Sequence, residues 1–383
     1  MFFSISPTAD NRFPNSYPIN IGFFNCDNGW KQYLIDGKTI FYKGYPFLDL
    51  AELVADPTPR HHGNFCCVLV GEQTTVTHDI NRGFPLYWYP DRMLTNLSLE
   101  SNSDYTNLYS DRYVSIDNNF VLTEHFFDCY GPIDSTTITF DQCVDQLSKL
   151  LIDQIKNLKF SNQYQLFLSG GIDTCLLLAL LNSQKINYKL LDYEHFDYDT
   201  FTYKNINFIK KKHWAYSQMH HWRQPSTLIT GGCGDEFFFR GPTAIALWAA
   251  WHDINVIDLL KQNPNYYHAK YFLKDVNQQA FRQVLDNRDQ ILQSYPTEVD
   301  LIKQILNINV NDHQHWHLGE TITITPYKNL EITKLLLRLS KEDLLKQVLD
   351  ADVSKSLIQK LDPLAIKYVS PYKNYNNLAI FND

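Results

Sequence analysis

The sequence predicts an α/β domain with a parallel sheet, preceded by a smaller β-rich domain. Three observations predict it. Residues 1–130 alternate short apolar runs with turn-rich pieces. Residues 164–181 read as strand, tight glycine turn and buried helix. A second β-like run at 227–230 feeds another glycine-rich loop. The linker Gly131-Pro132-Ile133-Asp134-Ser135 divides the chain into domains 1–130 and 131–383.

In the first domain, Cys66-Cys67-Val68-Leu69-Val70 and Pro85-Leu86-Tyr87-Trp88-Tyr89 are the clearest strand candidates, and Asp56-Pro57-Thr58-Pro59 is a break. After the linker, Val144, Leu147, Leu151, Ile155 and Leu158 fall at helical spacing. Residues 164–168 form a short apolar run, and 175–181 are apolar throughout. Residues 188–191 are the next candidate parallel strand. From 243 onward the pattern is helical, with helices expected over 244–260, 278–292, 298–306, 330–339 and 341–349.

A chain of 383 residues that is 44% hydrophobic can bury a large core, and 20% charged residues fit a globular protein. The formal net charge of −8, with Lys210-Lys211-Lys212 the sole tight basic run, disfavours nucleic acid as a partner. Seven scattered cysteines without a C-x-x-C pair fit reduced thiols in a cytoplasmic protein. No signal peptide and no membrane-length apolar run is legible, so no membrane association is expected. His313, His315 and His317 read as a polar loop and not as a ligand set.

The loop Ser169-Gly170-Gly171-Ile172-Asp173-Thr174 carries the chemistry. Backbone N–H groups at a helix N-terminus supply donors and a favourable dipole to phosphates. Gly170 and Gly171 permit close approach, and Ser169 and Thr174 add hydroxyls. Asp173 beside phosphates calls for a bridging Mg²⁺. An ordinary turn with a helix cap would explain the hexapeptide in isolation. Its place between a buried strand and a buried helix points to pyrophosphate with magnesium.

The loop resembles the S-G-G-x-D-S loop of the PP-loop ATP pyrophosphatases, with Thr174 in place of Ser. Ile229-Thr230-Gly231-Gly232-Cys233-Gly234-Asp235-Glu236-Phe237-Phe238 resembles the L-T-G-E-G-S-D-E-x-F segment of the asparagine synthetase branch, which also holds β-lactam synthetase and the lasso-peptide cyclases. Thr325-Pro326-Tyr327-Lys328-Asn329 is similar to that branch's P-F-L-D segment. The resemblance implies a PP-loop, adenine nucleotide α-hydrolase-like fold. It implies ATP as cosubstrate, Mg²⁺ on Asp173 and Asp235, and ATP contacts at Leu168, Ser169, Gly170, Gly171, Asp173, Thr174, Gly231 and Gly234. It also implies a substrate contact at Glu236 and a catalytic lysine near the C-terminus, at Lys373 or, second, Lys367. Gly232 stands where the family has Glu, and Ile322 and Ile324 stand where it has Glu and Arg, which counts against asparagine as the product.

His62-Gly63-Asn64-Phe65-Cys66-Cys67 and the stretch His78 to Tyr89 resemble part of a class II glutamine amidotransferase domain. That domain works through an N-terminal Cys. Position 2 here is Phe2, so this copy is expected to be degenerate. The implied activity is an AMP-forming carbon–nitrogen ligase. It would adenylate a small-molecule or peptide carboxylate and pass the acyl group to an amine or ammonia from elsewhere. The alternatives are a nucleotide-binding homologue without turnover and a PP-loop enzyme that modifies bases or tRNA. Either a monomer or a homo-oligomer is compatible with the sequence.

Overall fold

Strand side chains alternate between faces, so a run that is apolar at every position must be covered on both sides. The Cys66–Val70 run is such a case, and it explains how the first third of the chain is layered. In a computed structural model of the protein, residues 3–45, 49–80, 86–95, 106–108, 111–128, 130–156, 164–166, 171–190, 227–312 and 322–369 are described. The first sheet is antiparallel and comprises β1 (Phe3–Ser6), β2 (Asn15–Ile19), β3 (Gly22–Cys26), β8 (Leu86–Tyr89), β9 (Met93–Thr95) and β10 (Thr106–Leu108). Its order is β10-β8-β9-β1-β3-β2. The second comprises β4 (Lys31–Ile35), β5 (Lys38–Tyr45), β6 (Asn64–Val70), β7 (Thr74–His78), β11 (Arg112–Ile116) and β12 (Leu122–Phe126). Its order is β12-β11-β7-β6-β5-β4.

Phe3, Ile5 and Phe24 of the first sheet share a core with Phe41, Cys66, Val68, Val76 and Val114 of the second. The alternate residues Ile40, Tyr42, Phe65, Cys67 and Leu69 face the other way, onto Leu53 and Val54 of the Leu50–Ala55 helix. Strand β6 is thus buried on both faces. Gly44, at φ +129°, lies where a Cβ would sit 2.2 Å from the Asn64 carbonyl oxygen across the β5–β6 pairing.

The C-terminal part is built on β13 (Tyr164–Leu166), β14 (Tyr188–Leu190), β15 (Thr227–Ile229) and β16 (Ile322–Ile324). These four strands are parallel and ordered β14-β13-β15-β16, with Leu166 opposite both Leu190 and Ile229, and Ile229 opposite Ile324. The protein is therefore mixed α/β. The Ile172–Ser183 helix is buried at nine of its twelve positions, as its apolar composition requires. The amphipathic Phe140–Lys156 helix and the Asp352–Leu361 helix pack beside it.

Several helices differ from the sequence expectation. The 244–260 pattern forms two helices, Pro242–Trp251 and Val256–Gln262. Asp253 adopts φ +58° between them, and Asn255 caps the second by accepting the Asp258 N–H at 3.2 Å. The 278–292 pattern likewise divides into Asp275–Asp286 and Arg288–Ser294 at Asn287, which leaves the helical conformation. Strand β16 and the helices Leu50–Ala55 and Asp352–Leu361 were not expected. The Glu298–Asp312, Leu330–Leu336 and Lys341–Asp350 helices match expected ones in position.

Polar contacts join the antiparallel sheets to the segment after β16. The Tyr45 hydroxyl donates to the Thr325 carbonyl and accepts the Thr325 N–H, each at 3.1 Å. The buried Lys328 ammonium lies 3.0 Å from one oxygen of buried Asp79 and 3.2 Å from the other. Asp79 also accepts the Phe65 N–H at 3.3 Å. Among the described residues, no helix is long and apolar enough to cross a membrane.

Candidate functional site

Strands β13 and β15 are neighbours and parallel, so the loops that leave them do so on the same edge of the sheet. The first loop enters the Ile172–Ser183 helix at Gly171, whose backbone is extended. The first helical N–H, of Ile172, donates to the Tyr267 hydroxyl at 3.1 Å. Thr174 is buried, and its hydroxyl donates to the Gly171 carbonyl at 3.0 Å. That hydroxyl caps its own turn in this structure instead of facing outward.

The second loop turns where Thr230 Oγ1 accepts the Gly232 N–H at 2.9 Å. Cys233 follows in the left-handed region at φ +63°, then the single-turn helix Gly234–Phe237. Glycine is needed here for a reason the sequence did not reveal. A Cβ on Gly234 would lie 2.2 Å from Asp173 Cγ, and one on Gly231 would lie 3.0 Å from the Thr174 backbone nitrogen. The two loops pack on each other through these glycines.

That packing brings Asp173 and Asp235 to one cation, Arg240. Its guanidinium donates through Nη2 to Asp173 Oδ1, and Nη1 lies 2.9 Å from Asp235 Oδ1. The Arg240 side chain is fully buried, whereas those of Asp173 and Asp235 are 18% and 35% exposed. Its backbone N–H also donates to the Asp235 carbonyl at 2.5 Å. The Tyr327 hydroxyl donates to the Asp173 carbonyl at 2.7 Å, tying the first loop to the segment after β16. Burial pushes the Asp173 carboxyl up to about 7. Arg240 opposes the shift, and the negative charges of Asp235 and Glu236 add to it.

The sequence-predicted residues are distributed as follows. Gly171, Asp173, Thr174, Gly231, Gly234 and Asp235 are brought together by the loop packing. Glu236 is half-buried in the first turn of the Gly234–Phe237 helix, near enough to act on the Asp173 charge. Lys367 is exposed on the short 3₁₀ helix Ala365–Tyr368 and takes no part in the Asp173–Arg240–Asp235 pairing. Leu168, Ser169, Gly170 and Lys373 lie outside the described residues, as do His313, His315, His317 and Phe2. Sequence reasoning missed Arg240, Tyr267 and, as a site residue, Tyr327. The signal for Arg240 was present: a lone charge closing the Phe237-Phe238-Phe239 run, five residues after Asp235.

Among the described residues, no group of three or more His, Cys, Asp or Glu gathers as a metal-ion site. Comparison with protein-family models gives no match, and comparison with curated proteins gives none either.

Proposed function

We propose that this chain is an ATP-dependent, AMP-forming ligase of the asparagine synthetase-like PP-loop type. One observation carries the reading. Two loops, each resembling a phosphate-binding segment of that branch, leave adjacent parallel strands and pack with Asp173 and Asp235 on one cation. In open α/β sheets, ligands bind beyond the carboxyl ends of the strands.

The donor set fits magnesium. Mg²⁺ usually takes one or two carboxylates, with phosphate oxygens and water completing its octahedron. Asp173 and Asp235 converge and remain partly exposed, and the three acids Asp173, Asp235 and Glu236 outnumber Arg240. Those two aspartates would hold the ion, which offsets phosphate charge when bound. In the proposed reaction a substrate carboxylate oxygen attacks the α-phosphorus, forming acyl-AMP with loss of pyrophosphate. An amine then attacks the acyl carbon and releases AMP. The chain's own part is to bind and orient. The Ile172–Ser183 helix N-terminus faces the loop side of the sheet, and Tyr327 and Tyr267 fix the first loop.

The amine does not come from a thiol-dependent glutaminase built on the described cysteines of the antiparallel sheets. Cys26, Cys66 and Cys67 are all buried, and burial pushes the Cys26 thiol up to about 12 and the Cys67 thiol further. A nucleophile needs the thiolate.

Pyrophosphate release tests the proposal. It should depend on both a carboxylate pool and an amine pool, and D173A should reduce it at least about 100-fold. Release that never exceeds the D173A level with any pool would refute the ligase reading. The Arg240 bridge favours one second reading, a nucleotide-binding homologue without turnover. ATP binding without pyrophosphate release would establish it.

A further inference from the structure

Arg240 is a fully buried side chain with a permanent positive charge, and its two terminal nitrogens address two different loops. Its backbone is set by the same loop, through the bond from its N–H to the Asp235 carbonyl. Non-glycine residues in the left-handed region, Cys233 at φ +63° and Phe239 at φ +57°, bracket the segment from Gly234 to Phe238. Holding such conformations costs free energy and requires surrounding contacts to enforce them. Those contacts are present. Phe237, Phe238 and Phe239 are completely buried, the Phe237 carbonyl accepts from Thr333 at 2.7 Å, and the Phe238 carbonyl accepts from Gln347 at 3.0 Å. The fold thus anchors this segment firmly and delivers a guanidinium to a defined point between two carboxylates.

We propose that Arg240 is a positioning residue of the site, a resident cation that holds Asp173 and Asp235 together and competes with a divalent cation for them. This rests on the reading of the two loops as a phosphate-and-magnesium site. The argument is one of charge and geometry. One oxygen of Asp173 accepts a hydrogen bond from Arg240, and one oxygen of Asp235 lies within ion-pair distance of the same guanidinium. A divalent ion that takes either aspartate must displace one arm of the fork or share an oxygen with it, at a distance where like charges repel strongly. Arg240 therefore keeps the site assembled without metal and weakens metal binding until phosphates add their negative charge. Lysine carries the same charge but cannot span both carboxylates, because its ammonium is a single point and not a fork.

The test uses the full chain and Mn²⁺ without nucleotide, with free Mn²⁺ measured by electron paramagnetic resonance and thermal unfolding followed in parallel. R240Q should bind Mn²⁺ at least roughly tenfold more tightly than the unmodified chain, and R240K should fall between the two. In EDTA, R240Q should unfold at a lower temperature than the unmodified chain, and Mn²⁺ should raise its midpoint by mass action. Adding D235N to R240Q should abolish the gain in Mn²⁺ affinity, which a merely structural arginine would not predict. Equal or weaker Mn²⁺ binding in both R240Q and R240K would overturn the proposal, and R240K alone decides it if R240Q does not fold. Pyrophosphate release by the unmodified chain is measured separately. A chain that releases pyrophosphate while Arg240 variants leave Mn²⁺ affinity unchanged refutes this inference and leaves the ligase reading standing.

Discussion

Replacing Lys328 with methionine probes the joint between the antiparallel sheets and the segment that ties down the first glycine loop. Lys328 is 1% exposed and Asp79 is 0% exposed, and the ammonium lies within 3.2 Å of both carboxylate oxygens. Methionine keeps most of the side-chain volume and removes the charge. The Asp79 carboxylate then stays buried, still accepting the Phe65 N–H, without that ammonium. Breaking one partner of a buried pair costs about 3–5 kcal/mol. That is a large share of the roughly 5–15 kcal/mol that holds a domain together. The assay is urea unfolding followed by far-ultraviolet circular dichroism for K328M, D79N and the double variant. The double variant should lose less than the sum of the two, with a coupling energy of at least about 2 kcal/mol. A K328M loss below about 1 kcal/mol, or additivity within about 0.5 kcal/mol, would refute the view that this pair acts as a buried unit.

Two further outcomes follow from the same geometry. In G234A the new methyl group would sit 2.2 Å from Asp173 Cγ, so the Asp173 side chain or the loop that carries it must shift. We expect a loss of about 1–3 kcal/mol in thermal or urea unfolding, with weaker ATP binding, and unchanged stability would contradict the described loop packing. Acid sensitivity should track His62, whose imidazole burial pulls down from 6.5 to about 4. The unfolded chain then binds the proton first, so stability is present above pH ~6.5 and is lost as pH falls toward ~4. The His62 share is at most about 3 kcal/mol, and urea midpoints for H62Q should fall less steeply than those of the unmodified chain over this window. Burial depresses His268 in the same sense, so part of the acid loss should persist in H62Q.

The elements that were legible are those whose cause is local. The helix that follows the first glycine loop is apolar at every position from Cys175 to Leu181, and a helix buried on all sides needs no knowledge of its neighbours to be recognised. The breaks at Asp253 and Asn287 were not legible. The second depends on Asn287 alone leaving the helical region, and the first on the four residues 252–255, with Asp253 in the left-handed region. Strand β16 was missed although Ile322-Thr323-Ile324 alternates apolar and polar residues as a strand does, because three residues are a short run and pairing with β15 fixes their place in the sheet.

The site divides along the same line. Which residues have phosphate-compatible chemistry could be read from the two glycine loops, since donor type and spacing are properties of the chain. That Asp173 and Asp235 share one partner could not, because 62 positions separate them and only the adjacency of β13 and β15 closes that gap. The resemblance implies ATP contacts at Gly231 and Gly234, and the fold shows a further need for glycine there, since a Cβ at either position would meet the other loop. Arg240 belongs to neither glycine-loop motif. Its role arises from complete burial against two carboxylates, and burial is set by the surrounding tertiary contacts and not by the residue itself.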